Sequence, residues 1–377
     1  MSPFDAAEAE HAGATLTVDL GALVANWRML GARVAGAEAG AVVKADAYGI
    51  GIEPAVTALA RAGCRSFFVA HLSEGVRARA VAPDAAIYIL NGLLPKTCPA
   101  YAEHGLSPVL GSRDELREWA SFRQGGAPVR PAAMHVDTAM NRLGLSPGDG
   151  LSLARDGDGV VDAAGIGLLM SHFAASEDAS DPANARQIAA FAEIAAALPG
   201  LPASLLNSSG HFLKDCPAYA LTRPGYALYG GNPTPGRQNP MRPVVGLEAR
   251  IIQIREVEAG AQVGYNGRWT AKDKRRLATI NLGYADGYPR NASWTDHSSG
   301  GSALVGGVVC PFVGTVSMDL IIVDVSDAPA AAAGRGASVT LIGGPLDLET
   351  VGAGAKTIGY EILTGLGRRY ARRYVGI

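Results

Sequence analysis

Cysteine is scarce in this chain of 377 residues: Cys64, Cys98, Cys216 and Cys310 lie far apart. None forms a C-x-x-C pair, so no thiolate metal site or redox pair is on offer. Scattered cysteines in a long chain read as small buried apolar residues rather than disulfides. Excess charge is missing too. A net charge of −2 gives no electrostatic case for nucleic acid or an acidic membrane surface. No apolar run reaches the roughly 18 residues of a membrane span, and no low-complexity tract or short internal repeat appears. No G-x-G-x-x-G follows an early strand, which weakens a doubly wound dinucleotide-binding sheet. The first 14 residues, MSPFDAAEAEHAGA, carry Asp and Glu around no apolar centre and do not read as a signal peptide. The cytoplasm is the expected compartment.

What is present is an ordinary globular composition, 48 % apolar and 18 % charged, in a chain too long for one compact core. Asp19 is placed to cap a helix carrying Leu23, Trp27, Leu30 and Val34. Beyond it, apolar strand-like runs recur at 41–43, 67–70, 87–90, 107–110, 132–136, 166–171, 203–206 and 221–228, with helix-like segments between them, such as 54–61, 112–121 and 184–198. Eight alternating units predict a (β/α)8 barrel, residues 15–238. The Gly- and Pro-rich stretch 230–242 reads as a linker. Short β-rich runs follow, so residues 239–377 are expected to form an all-β domain, with residues 1–14 a candidate to pack against it. The basic tail, Arg368, Arg369, Arg372 and Arg373, reads as a solvated helical face.

Barrel active sites occupy the face where the strands end. The residues just after these runs are Lys44, His71, Asn91, Asp137, His172, Asn207 with Ser208, and Arg223. Nearly every strand ends on a chemically capable side chain, which argues for an enzyme. Lys44 closes the apolar run of AVVKADAYGIG, 41–51. A lysine partly desolvated there has a depressed pKa and a nucleophilic amine, suited to Schiff-base formation with a carbonyl. The alternatives are a lysine reaching solvent from a strand end, or one pairing with Asp46.

The chain resembles the alanine racemases, fold-type III enzymes that use pyridoxal 5'-phosphate. The resemblance covers nearly the whole chain. It rests on AVVKADAYGIG, HVDTAMNRLG (135–144), MSHF (170–173), LLNSSG (205–210), TRPGYALYG (222–230), NLGYADGYPRN (281–291), VSMD (316–319) and IGYE (358–361), in order. It implies that Lys44 carries the cofactor and serves as one acid/base, with Tyr284 as the other, on the opposite face of the substrate carbon. In the family that tyrosine comes from the partner subunit, which implies a homodimer with composite sites. Arg223 matches the arginine at the pyridine nitrogen, and His172 the histidine linked to it. Tyr48, Asn207, Ser208, Gly225, Tyr226 and Tyr360 match the cofactor-holding positions around the phosphate. Arg142, Met318 and Asp319 match the substrate side. No metal is implied. His135 stands where many members have a lysine that is often carbamylated and orients the arginine. Histidine cannot form that carbamate, so an anion or a direct hydrogen bond to Arg142 is the expected substitute. Ile50 replaces a frequent histidine, and Ser317 a common cysteine.

The implied activity is interconversion of L- and D-alanine, supplying D-alanine for peptidoglycan. Racemisation of serine or lysine on the same fold is the alternative. A fold-related decarboxylase would need a reactive cysteine and a glutamate at the pyridine nitrogen, where Arg223 fits instead. A cofactor-binding carrier barrel would lack the β domain. His71 and His211 carry no assigned role and read as ordinary core or surface histidines.

Overall fold

A computed structural model describes residues 11–156 and 159–376; residues 1–10, part of the segment expected to pack against the β domain, lie outside the described residues. Seven short strands run parallel in chain order: Ala41–Val42, Ser66–Val69, Ala86–Ile89, Ser107–Leu110, Ala132–His135, Ile166–Met170 and Ala203–Ser204. Ser66–Val69 and Ser107–Leu110 are buried along their whole length, as strands covered on both faces must be. The connecting helices bury apolar stripes at helical spacing. Ile52, Ala55, Val56 and Leu59 form one, and Phe191 and Ile194 lie on another.

The eighth strand is only Leu221–Thr222, and it closes the ring. It pairs in parallel with Glu38–Ala39, which runs on through Gly40 into the first strand. Gly40 N donates to Thr222 O and Val42 N to Pro224 O, both at 2.9 Å. On the other side Ala220 N donates to Ala203 O at 3.0 Å and Arg223 N to Leu206 O at 2.8 Å. A side chain at position 40 would sit 3.0 Å from both Phe68 Cε2 and Ser66 O, so the seam needs glycine. The apolar run 221–228 is therefore mostly not strand. Pro224 cannot donate to a ladder, and Tyr226–Tyr229 folds as a 3-10 turn.

Beyond the barrel, six strands lie in the order Val308–Pro311, Ser302–Val305, Ser338–Ile342, Val245–Val257, Ala14–Asp19, Ala371–Val375, and Arg275–Ile280 and Ile321–Asp324 extend the sheet from the far half of Val245–Val257. Two features depart from the sequence reading. Ala14–Asp19 is not the head of the barrel: it pairs antiparallel with Val245–Val257 and parallel with Ala371–Val375. Its strict alternation, with Leu16 and Val18 fully buried, is a strand signal whose partners lie at the other end of the chain. The basic tail is not a helix: Arg372 and Arg373 lie in the strand Ala371–Val375, Arg368 and Arg369 in the bend before it, and three of the four arginines are engaged. Arg369 pairs with Asp286 and Asp319, Arg372 donates to Gly49 O and Gly367 O, and Arg373 donates to Thr17 Oγ1. Among the described residues no helix is long and apolar enough to cross a membrane.

Candidate active site

Lys44 is half-buried where the first strand ends. The backbone after it does something rare. Ala45, Asp46, Ala47 and Tyr48 all have φ between 50° and 55°, one turn of left-handed helix made by residues with a Cβ, each disfavoured by about 1–2 kcal/mol. The turn is held from several sides. The Glu74 carboxylate accepts from Ala45 N at 2.6 Å and Asp46 N at 3.4 Å. Asp46 accepts from Ile52 N at 3.1 Å and pairs with Arg77 at 2.7 Å, so it is not the partner of Lys44. From the C-terminal strand, Arg372 donates to Gly49 O and the Tyr374 hydroxyl to Ile50 O, each at 2.8 Å. Burial pulls the Lys44 amine below its ordinary pKa, Arg142 pulls the same way, and Glu74 opposes them.

Arg223, from the eighth strand, is buried and donates to the Ser204 hydroxyl and the Ser171 carbonyl. Among the described residues no carboxylate lies within ion-pair reach of it. Burial drags its pKa below the usual guanidinium range, so the site favours an incoming acceptor or anion. The link from Arg223 toward His172 runs through the Ser171 carbonyl; the His172 ring makes no hydrogen bond to it. His172 is held down at about 3 by burial, then by Arg223, Arg142, His135 and Lys44. His135 is held at about 4 by burial, with Arg223 and Arg142 lowering it and Asp137 opposing. Its ring makes no hydrogen bond to Arg142. The loop carrying Arg142 is instead fixed by Asp137, which accepts from Ala139 N, Met140 N and Arg142 N at 2.7 to 3.0 Å. The result is a cationic mouth of Lys44, Arg142 and Arg223 with neutral imidazoles between.

These histidines carry an acid-lability. His211, buried between Asn207 O and Thr222 Oγ1, is likewise held at about 4, mainly by burial. Unfolded, each binds a proton near pH 6.5. Below about pH 6.5 the unfolded chain therefore holds more protons than the fold, and stability falls with falling pH until the folded-state values near 3 to 4 are reached. The slope approaches about 1.4 kcal/mol per pH unit for each histidine, about 4 for the three. Urea unfolding of cofactor-free protein between about pH 4 and 7 checks this; a flat profile contradicts it.

A second cluster lies beside the cations. The Ser208 hydroxyl accepts from Gly225 N at 3.0 Å and Ala227 N at 3.1 Å. A Cβ on Gly225 would come within 2.5 Å of the Tyr48 hydroxyl, which has no hydrogen-bond partner among the described residues. Burial keeps that phenol protonated, a donor without an acceptor. The Tyr48 ring stacks on Tyr229 at 4.5 Å, and Tyr226 on Tyr360 at 3.8 Å. Tyr360 arrives on the helix Gly359–Thr364 of the C-terminal region, its hydroxyl on Glu177 at 2.9 Å, while Tyr226 bonds Glu349 at 2.9 Å. Asn207 faces inward instead: its amide oxygen accepts from Ser176 Oγ and Gly210 N, both at 2.9 Å, and shapes the turn Ser209–Phe212. An unpaired donor, a glycine-lined cradle, an uncompensated buried cation and a half-buried amine together fit a phosphate-bearing aldehyde such as pyridoxal 5'-phosphate.

Tyr284, Met318 and Asp319 form a separate group. Tyr284 N donates to Ser317 O at 3.0 Å and Ala285 N to Met318 O at 2.9 Å, and Arg369 pins both loops through Asp286 at 3.1 Å and Asp319 at 2.8 Å. A Cβ on Gly283 would strike Met318 O, so the loops touch backbone to backbone. Tyr284 is 39 % exposed and Met318 53 %. Among the described residues no hydrogen bond, ion pair or ring contact joins this group to Lys44, Arg142 or Arg223.

A closed parallel barrel with a lysine at the end of its first strand, a buried arginine at the end of its last and a β domain beyond defines a fold-type III pyridoxal-phosphate enzyme. Comparison with known proteins is more specific. Family models described as "Alanine racemase, N-terminal domain" and "Alanine racemase, C-terminal domain" match residues 18–233 and 244–374. An alanine racemase of Methylobacterium nodulans is 59 % identical over 363 residues, 96 % of each chain. A relative from Mesorhizobium japonicum named "Alanine racemase, catabolic" is 44 % identical, covering 97 % of this chain and 94 % of its own. The crystal structure of alanine racemase from Bartonella henselae with covalently bound pyridoxal phosphate superposes with a TM-score of 0.91 at 41 % identity, over 97 % of this chain and 100 % of that one. The chain belongs to the alanine racemase family.

Proposed function

We propose that this protein interconverts L- and D-alanine with pyridoxal 5'-phosphate carried on Lys44. The observation that carries the reading is the pairing, in one barrel mouth, of half-buried Lys44 with buried, carboxylate-free Arg223. Bound there, the cofactor supplies the electron-withdrawing system that acidifies the substrate Cα–H. The chain's own groups do the rest. Tyr48, Ser208, Gly225, Tyr226 and Tyr360 enclose the phosphate, with Asn207 shaping the turn beneath it and His172 standing beside Arg223. Arg142 holds the substrate carboxylate. Lys44 Nζ exchanges the Cα proton on one face and the Tyr284 hydroxyl on the other. Tyr284, Met318 and Asp319 are brought by a second copy of the chain. The exposure of Tyr284 and Met318, and the absence of a hydrogen bond, ion pair or ring contact from the group to its own Lys44, support a homodimer with composite sites. The four free thiols, Cys64, Cys98, Cys216 and Cys310, suit a reducing cytoplasm.

The test is incubation of purified protein and pyridoxal 5'-phosphate with L-alanine, L-serine and L-lysine separately, reading the D-product. D-alanine is expected to form fastest; no D-alanine, or faster D-serine or D-lysine, contradicts the reading. Enantiomers have equal free energies, so consumption sets the direction of flux. We assign the flux to D-alanine for peptidoglycan, and deletion of the gene is expected to impose a D-alanine requirement.

Arg223 has a further consequence. A guanidinium donates a hydrogen bond to the ring nitrogen but does not give up its proton, whereas a carboxylic acid there would. Arg223→Glu is expected to raise transamination, read as pyruvate, relative to racemisation, while racemisation falls roughly 10²–10³-fold. An unchanged ratio would show that Arg223 does not face the ring nitrogen.

A further inference from the structure

The left-handed turn 45–48 needs an external support, and one residue outside every motif above supplies it. Inside the turn the backbone satisfies itself: Ala47 N reaches Val43 O at 3.0 Å, Gly49 N reaches Ala45 O at 2.8 Å and Gly51 N reaches Asp46 O at 2.9 Å. The two N–H groups at its start have no such partner. Both point to one oxygen of Glu74, Ala45 N at 2.6 Å and Asp46 N at 3.4 Å. The other oxygen accepts from Ala70 N at 2.8 Å and His71 N at 3.0 Å, the residues just past the strand Ser66–Val69. One carboxylate thus takes four backbone donors and ties the ends of two neighbouring barrel strands. Glu74 lies in the first turn of the helix Leu72–Val81, where the helix favours a negative charge. Among the described residues it forms no ion pair, so its charge is spent on these amides.

We propose that Glu74 is the positioning residue for Lys44: its carboxylate clamps the left-handed turn to the adjacent strand end and so fixes where the amine stands. Four charge-assisted hydrogen bonds hold the turn more firmly than neutral acceptors would. The charge also faces Lys44 and works against the burial and Arg142 effects on that amine. The turn directs Tyr48 into the phosphate cradle as well, so one clamp sets both the amine and a cradle hydroxyl. This inference rests on the reading of Lys44 as the cofactor lysine.

Glu74→Gln keeps the shape, replaces one acceptor oxygen with a donor and removes the charge. In cofactor-free protein, hydrogen–deuterium exchange at the amides of Ala45 and Asp46 is expected to accelerate by at least about tenfold, with exchange in the helix Pro182–Ala197 unchanged. The dissociation constant for pyridoxal 5'-phosphate, read by absorbance, is expected to rise by about tenfold or more. Adding Ala45→Gly relaxes the strained position, because glycine accepts positive φ. The double variant is expected to regain part of the lost cofactor affinity, a rescue that a general loss of stability would not give. Wild-type exchange and affinity in Glu74→Gln overturn the proposal. So does a uniform rise in exchange across the barrel with no recovery on adding Ala45→Gly. Borohydride reduction of the wild-type complex, followed by peptide mapping, tests the Lys44 reading separately: an adduct on another lysine sinks that reading, whereas exchange at 45–46 is read without cofactor.

Discussion

Lys44→Ala is expected to carry no pyridoxyl group after borohydride reduction and to lose more than about 10⁴-fold in racemisation. A positioned acid/base alone is worth roughly 10²–10⁴-fold, and in the proposed mechanism the same atom also holds the cofactor. Lys44→Arg separates charge from chemistry. It keeps a cation at the end of the first strand, but its guanidinium is neither a nucleophile nor a base at neutral pH. If the lysine acted only as a charge among Arg142 and Arg223, Lys44→Arg would retain activity. The expectation is that it is as inactive as Lys44→Ala. In the wild type, one adduct should map to the peptide containing Lys44. In cofactor-free protein the depressed pKa of the amine, caused first by burial and then by Arg142, should appear as faster labelling of Lys44 than of other lysines near neutral pH. An adduct on another lysine, or a Lys44→Ala protein that still binds the cofactor covalently, contradicts the assignment.

The barrel half of this site was legible because two signals coincide there. Apolar runs mark the strands, and chemically capable residues follow them, so Lys44, His172, Ser208 and Arg223 stood out without any structure. Pairings between distant segments did not stand out. Ala14–Asp19 alternates perfectly, yet its partners Ala371–Val375 and Val245–Val257 are set by tertiary contacts. The same holds for the tail, where Tyr370, Arg372 and Tyr374 follow a two-residue period that competes with the helical reading of an arginine cluster. Some strand-end residues proved to be builders. Asp137 spends its carboxylate on a loop, and Asn207 its amide on a turn. Glu74 is hard to find from sequence because it lies in a helix, five residues past the end of the strand Ser66–Val69; its one signal is its place three residues after His71 in a capping box. The left-handed turn left no trace either. Ala45, Asp46, Ala47 and Tyr48 include no glycine, and only Gly49 and Gly51 hinted at unusual backbone nearby.

Tyr284 tests mechanism and assembly together. It lies on a loop pinned by Arg369 through Asp286 and Asp319, 39 % exposed and with no hydrogen bond, ion pair or ring contact to the Lys44 of its own chain. Two bases on opposite faces of one carbon predict lopsided defects. Tyr284→Phe is expected to slow proton abstraction from L-alanine by roughly 10²–10⁴-fold, read as loss of solvent deuterium incorporation from that isomer, while Lys44 still takes up the cofactor. Abstraction from D-alanine is assigned to Lys44. Mixing Tyr284→Phe with Lys44→Ala and letting subunits exchange should then restore activity that neither variant has. Each heterodimer assembles one site with both Lys44 and Tyr284 and one with neither, so it recovers about half the wild-type site count. Equal mixing to completion makes about half of all dimers heterodimers, and the pool should return about a quarter of wild-type activity. Cofactor uptake by the mixture should not exceed that of its Tyr284→Phe chains, because only they retain Lys44. Heterodimers that form stably, confirmed by mass, yet recover no activity would mean that both bases act within one chain or that Tyr284 is not a base.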